Sequence, residues 1–192
     1  MNKFSEGYFR NLGKSMESIS ASHGNGELGS FHDGVEAACD LIIAQANAGK
    51  KLMFIGNGGS ASIASHMSTD FWKSGGIRAT AFNDSSLLTC IGNDYGYKHV
   101  FQKPIEMFAD TGDVLVAISS SGKSENIILG VDAARSKGCK IITMSGFEKG
   151  NPLSRLGDIN FYVPDKGYGP VEILHTAICH AFLDVILGSK NG

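Results

Sequence analysis

The sequence is short of several things, and each shortage excludes a class of protein. Neither sign of charge dominates: 17 Lys and Arg stand against 19 Asp and Glu, for a formal net charge of −2. Bulk charge therefore builds no surface for nucleic acid or membrane. Charged residues make up only 19% and hydrophobic ones 42%, the balance of a globular chain. Cysteines are few. Cys39, Cys90, Cys139 and Cys179 lie far apart without a CxxC pair, and read as reduced core thiols of a cytoplasmic protein. There is no repeat, low-complexity tract or linker. The opening Met1-Asn2-Lys3-Phe4-Ser5-Glu6 has no apolar run or cleavage signature, and no stretch reaches the ~18 apolar residues of a membrane span.

Glycine, by contrast, is plentiful at 25 residues of 192, much of it in short loops beside apolar segments, where a backbone can approach a ligand closely. The length suits one domain, 1–192, with N-terminal helices over 1–50 and a core over 51–192. Phe4, Tyr8, Leu12, Met16 and Ile19 recur at helical spacing and predict an amphipathic helix over 3–22. A break follows at His23-Gly24-Asn25-Gly26, then a second helix over about 29–49. Short apolar runs at 51–56, 78–82, 114–118, 140–144 and 159–163 are bounded by turn residues, with helical stretches between most of them. That alternation predicts an α/β fold: a five-stranded parallel sheet in a three-layer αβα sandwich. A last helix covers about 169–188.

In such sheets ligands sit beyond the carboxyl ends of strands. Two loops there stand out. Gly56-Asn57-Gly58-Gly59-Ser60-Ala61 and Ser119-Ser120-Ser121-Gly122-Lys123-Ser124 each lead from a strand into a helix. A helix start offers unpaired N–H groups and a positive dipole end, which suit an anion. The first loop also fits G-x-G-x-x-G/A, but a lone match is a weak dinucleotide signal and leaves the serine loop without a job. The second resembles the tail of a nucleotide P-loop, yet Ala117 stands where that motif needs glycine.

These loops, with Ile91-Gly92-Asn93-Asp94-Tyr95-Gly96, Gly112-Asp113-Val114-Leu115 and the closing His175 and His180, resemble bacterial sedoheptulose 7-phosphate isomerases over nearly the whole chain. The resemblance implies a sugar isomerase (SIS) domain with an N-terminal helical extension, assembled as a homotetramer with active sites at subunit interfaces. The activity it implies is aldose–ketose isomerisation of sedoheptulose 7-phosphate in heptose synthesis. It places substrate contacts on Asn57, Gly58, Gly59, Ser60, Asn93, Asp94, Ser119, Ser120, Ser121, Ser124 and Glu172, the serines holding the phosphate. It also implies that His66, Asp70, Glu172 and His180 can hold a zinc ion. Two positions depart from the family: Asp70 stands where Glu is usual, and Glu172 where Gln is usual. Tyr168-Gly169-Pro170-Val171 replaces a polar segment.

Two other readings compete. A sister of this family is a tetrameric regulator that binds the replication initiator DnaA, and the altered 168–172 segment admits a different phosphosugar. The residues themselves suit the isomerase. His66 and Asp70, at i and i+4, share a helix face. Glu172 and His180 converge loosely on the last helix. Two imidazoles and two carboxylates make a sound zinc set. The reaction needs a base at carbon and an acid at oxygen: Asp70 or Glu172 serves as base, His180 as acid. His175, on an apolar stretch, reads as structural or supporting.

Overall fold

The protein is described by a computed structural model over residues 2–24 and 26–190. In chain order the elements are α1 (Asn2–Glu17), β1 (Ser20–His23), β2 (Gly26–Glu27), α2 (Phe31–Asn47), β3 (Leu52–Gly56), α3 (Gly59–Lys73) and β4 (Ala79–Ala81). They continue with α4 (Ser85–Asp94), α5 (Gln102–Phe108), β5 (Val114–Ser119), α6 (Glu125–Ser136), β6 (Lys140–Ser145), β7 (Ile159–Tyr162) and α7 (Tyr168–Lys190). Short 3₁₀ turns lie at Tyr97–His99 and Pro152–Arg155.

Strand pleating sorts the apolar runs into two cores. Leu52 and Phe54 of β3 enter one core while Met53 and Ile55 enter the other. Val114, Val116 and Ile118 of β5 join the first, and Leu115 and Ala117 the second. The first core is closed by α2, α3 and α7, through Ile42, Met67, Phe71, Ile178 and Phe182. The second is closed by α5 and α6, through Ile105, Ile127 and Val131. Each fully buried side chain of this size contributes about 1.5–3 kcal/mol. The three layers and the five parallel strands match the sequence reading; their order is β4-β3-β5-β6-β7.

Among the described residues the sheet nevertheless has seven strands, because a hairpin of β1 and β2 extends it antiparallel to β7. The first helix therefore stops at Glu17 rather than Ser22. Ser20 to His23 pair with Ile159 to Tyr162, and long-range strand pairing overrides the local helical period. Ala21 is packed so tightly on α2 that a Cβ on Gly34 would meet its methyl at 2.3 Å. The break at 23–26 is the hairpin turn itself; its Asn25 lies outside the described residues. Against the sequence expectation, α7 is long and apolar enough, by length and composition, to cross a membrane. Its apolar face is spent within the fold, where Val171, Leu174, Ile178, Phe182 and Ile186 are buried in the first core.

The connections create a switch point. From β3 the chain passes through α3 to β4 on one side; β5 then returns on the other side of β3. The helix after β3 covers one face and the helix after β5 covers the opposite face. Their loops diverge and leave a crevice, while the parallel register sets Gly56 beside Ile118, so that the crevice walls start level.

At the other end of these strands, buried Asp113 ties the sheet together. Its carboxylate accepts from the Lys51 backbone N–H at 2.9 Å, the Lys51 ammonium at 2.5 Å and the Asp110 N–H at 2.8 Å. Burial pulls the Lys51 pKa down, but the hydrogen bonds it donates to the Asp113 and Asp110 carboxylates outweigh that and hold it above the usual lysine value. Asp113→Ala strands two backbone N–H donors and leaves the Lys51 ammonium with Asp110 alone, and should cost about 2–4 kcal/mol. Urea unfolding measures this, and an unchanged midpoint would refute it.

Candidate active site

The switch-point crevice is a cleft of about 240 Å³. It is walled by Asn57, Gly58, Gly59 and Ser60 on one side, Ser119, Ser120, Ser121 and Ser124 on the other, and Tyr168 and Glu172 from α7. Two helix starts open onto it without side-chain caps. Gly58 leads into α3 with φ 54° and no capping bond. Ser124 leads into α6 and also makes none, its hydroxyl accepting instead from Ser119 Oγ at 3.3 Å. Two other helices are capped from within: Ser30 accepts from Asp33 N on α2, and Asp84 from Leu87 N on α4; the short α5, begun by Phe101, has no side-chain cap either. Uncapped starts carry unpaired N–H groups and the positive dipole end, a seat for an anion.

The serine turn is held rigidly. Gly122 N–H donates to Ser119 Oγ and to the Ser119 carbonyl, and Lys123 N–H donates to Ser121 Oγ. Gly122 has φ 62°, and a Cβ there would overlap the Asn151 amide at 1.9 Å, so glycine is required. Lys123 itself turns outward to Glu148, 2.7 Å away. The hydroxyls and amides of the turn, rather than its ammonium, face the cleft.

The helices α3 and α7 run side by side and carry the carboxylates and imidazoles singled out in the sequence. The Glu172 carboxylate lies against Gly59, where a Cβ would come within 2.3 Å of it. Further along the same pair, His66 Nε2 stands 3.2 Å from Asp70 Oδ2. The His66 and His180 rings are 5.4 Å apart at 60°. One donor atom each from His66, Asp70 and His180 falls within 4.8 Å of the others, a nitrogen, nitrogen and oxygen set that fits zinc.

The SIS domain family model matches residues 8–146. The chain is 37% identical over 158 residues to the phosphoheptose isomerase of Helicobacter hepaticus, covering 79% of this chain and 80% of that one. With the phosphoheptose isomerase of Yersinia pestis it shares 36% over 160 residues, covering 80% and 82%. This chain belongs to the phosphoheptose isomerase family of SIS-domain proteins. A solved structure of phosphoheptose isomerase GmhA from Neisseria gonorrhoeae superposes with a TM-score of 0.84 at 29% identity, covering 97% of this chain and 98% of that one.

Within this family member, the site residues read from sequence divide three ways. Those of the glycine loop and serine turn, with Glu172, line one cleft. His66, Asp70 and His180 gather in the cluster, while Glu172 stands apart from it at the α3 start. Asn93 and Asp94 sit exposed at the end of α4, with Asn93 Nδ2 donating to Asp94 Oδ1 at 2.9 Å; the described chain does not bring them to the cleft. His175 is fully buried, its Nε2 3.2 Å from the Ser145 carbonyl. Burial pushes its pKa down to about 4 despite that bond, so it is neutral and supports the β6 end instead of titrating in the reaction.

Sequence reading missed Tyr168 as part of the cleft wall. Its ring meets Phe147 edge-on at 4.9 Å, and Phe147 is the one described non-glycine residue with positive φ, 58°. The signal was present, since Tyr168 begins the segment that departs from the family. With the anion seat assigned to the serine turn, Ser124→Ala should weaken sugar-phosphate binding by about 1–3 kcal/mol. Titration calorimetry tests this, and unchanged affinity would remove the serine turn from the seat.

Proposed function

We propose that this phosphoheptose isomerase family member interconverts sedoheptulose 7-phosphate and its aldose, D-glycero-D-manno-heptose 7-phosphate, through an enediol(ate), supplying heptose for surface polysaccharide. One observation carries the reading: an anion seat and an acid–base cluster share one pair of helices. From Gly59 to His66 the α3 rise of about 1.5 Å per residue amounts to roughly 10 Å. A substrate with phosphate at one end of its carbon chain and a carbonyl at the other needs such a separation. Binding energy at the phosphate then orients the distant carbons.

Asp70 is the base and His180 the acid, because these are the carboxylate and imidazole that converge. Proton transfer between adjacent carbons requires both groups within reach of one short segment of substrate. Asp70 takes the proton from the carbon beside the carbonyl, and His180 protonates the developing oxyanion. The shorter Asp70 is steadied by His66 at 3.2 Å. Glu172, on the cleft wall beside Gly59, accepts hydrogen bonds from the sugar hydroxyls. A zinc ion would be held by His66, Asp70 and His180; Glu172, the fourth ligand that the resemblance implies, stands apart from them at the α3 start. When bound, the ion would polarise the carbonyl as a Lewis acid.

The assembly fits the same reading. Phe4, Phe9 and Met16 of α1 are more than half exposed in the single chain, apolar surface that association between copies would bury. We place the working enzyme as a cytoplasmic homotetramer in which a neighbouring copy completes the site. The four free cysteines agree with a reducing compartment.

A coupled assay with sedoheptulose 7-phosphate tests the activity. Asp70→Asn and His180→Ala should each lower kcat by about 10²–10⁴ while sugar-phosphate affinity, followed by calorimetry, stays within a few-fold. Full turnover in both variants would overturn these roles. Loss of turnover on chelation, restored by zinc alone, is the expected outcome for the metal.

A further inference from the structure

The two anion-binding loops belong to opposite faces of the sheet, and something must fix their separation. Beyond the strand pairing of Gly56 with Ile118, no backbone hydrogen bond among the described residues joins the glycine loop to the start of α6. One side-chain device does. Asn57 Nδ2 donates to Asn126 Oδ1 at 2.9 Å, and Asn126 Nδ2 donates back to Asn57 Oδ1 at 2.8 Å. Asn126 is 4% exposed and lies in the first turn of α6, two residues beyond Ser124. Tyr97 Oη adds a third bond, donating to Asn57 Oδ1 at 3.1 Å from the 3₁₀ turn after α4.

Asn57 Oδ1 thus has both acceptor positions filled, and only one N–H of its amide is left for a ligand. Its side chain serves the frame more than the substrate. Satisfied amide pairs in a low-dielectric site hold their geometry firmly, and a half-broken one is costly. We infer that Asn126 is a positioning residue: through the reciprocal amide pair with Asn57 it sets the distance between the two uncapped helix starts and so tunes affinity for the substrate's phosphate. The inference rests on the phosphosugar reading of the cleft.

Calorimetric binding of sedoheptulose 7-phosphate, with inorganic phosphate as a second probe, tests this separately from turnover. Asn126→Ala should raise both dissociation constants about tenfold and raise KM alike, with kcat within about twofold. Asn57→Ala, which also removes a cleft-wall side chain, should raise both dissociation constants at least as far, and the double variant should bind no more weakly than Asn57→Ala alone, as expected for two halves of one device. Tyr97→Phe, altering an exposed hydroxyl, should weaken binding in the same direction by a smaller factor, and serves if the buried variants fail to fold. Unchanged affinities with only a lowered Tm, or single effects that multiply in the double variant, would overturn the inference. A wild-type chain that binds both probes but does not isomerise the sugar would overturn the activity and leave the clamp standing.

Discussion

Two helices begin at the switch point with their first N–H groups unpaired by any side-chain cap, and the organisation of the site follows from that deficit. In α2 and α4 the same need is met internally, by Ser30 and Asp84. Here it is left for a ligand. An anion with several acceptor oxygens answers both starts at once. Small residues are needed around it: Gly58 for its positive φ, Gly59 because Glu172 presses against it, and Gly122 because Asn151 does. Uncharged hydroxyls from the serine turn add donors without the desolvation cost of an ammonium, and Lys123 is drawn away to Glu148.

The anion seat would be only a binding site without α7. This helix is buried on one face against α3 and the sheet, which fixes its rotation and therefore the directions of Glu172 and His180. The parallel run of α3 and α7 sets Gly59 opposite Glu172 and His66 opposite His180. The departures from the family at Asp70 and Glu172 fall on this shared seam. The shortened carboxylate remains next to His180, and the added acid stands nearer the seat. The altered 168–172 segment contributes Tyr168, braced by Phe147 in an unfavourable backbone conformation. Strain kept at a ligand cleft marks a place where position is held against local preference.

Much of the fold was legible because its signals are local. β3 and β5 alternate between two cores residue by residue, and the glycines and serines that end them read as turns. Such features follow from pleating and backbone sterics within a few residues. The β1–β2 hairpin was not legible. Ser20 to His23 carry no strand signal of their own and become a strand only because the edge of β7 offers partners. The apolar positions before them obey a helical period regardless. In the same way α7 reads by composition as a membrane span and by packing as a core helix.

Within the site, the sequence by itself determined which chemical groups are available: a glycine loop and a serine turn at strand ends, and the His66–Asp70 pair one helical turn apart. Backbone conformation and helical spacing bring these about over short range. Tertiary structure alone decided which groups meet. It drew His180 to His66 across more than a hundred residues, set Glu172 against Gly59, joined Asn57 to Asn126 and left Asn93 and Asp94 outside the cleft. The reason is physical: those meetings depend on how whole helices dock on the two faces of the sheet, and docking is settled by the summed burial of many distant side chains.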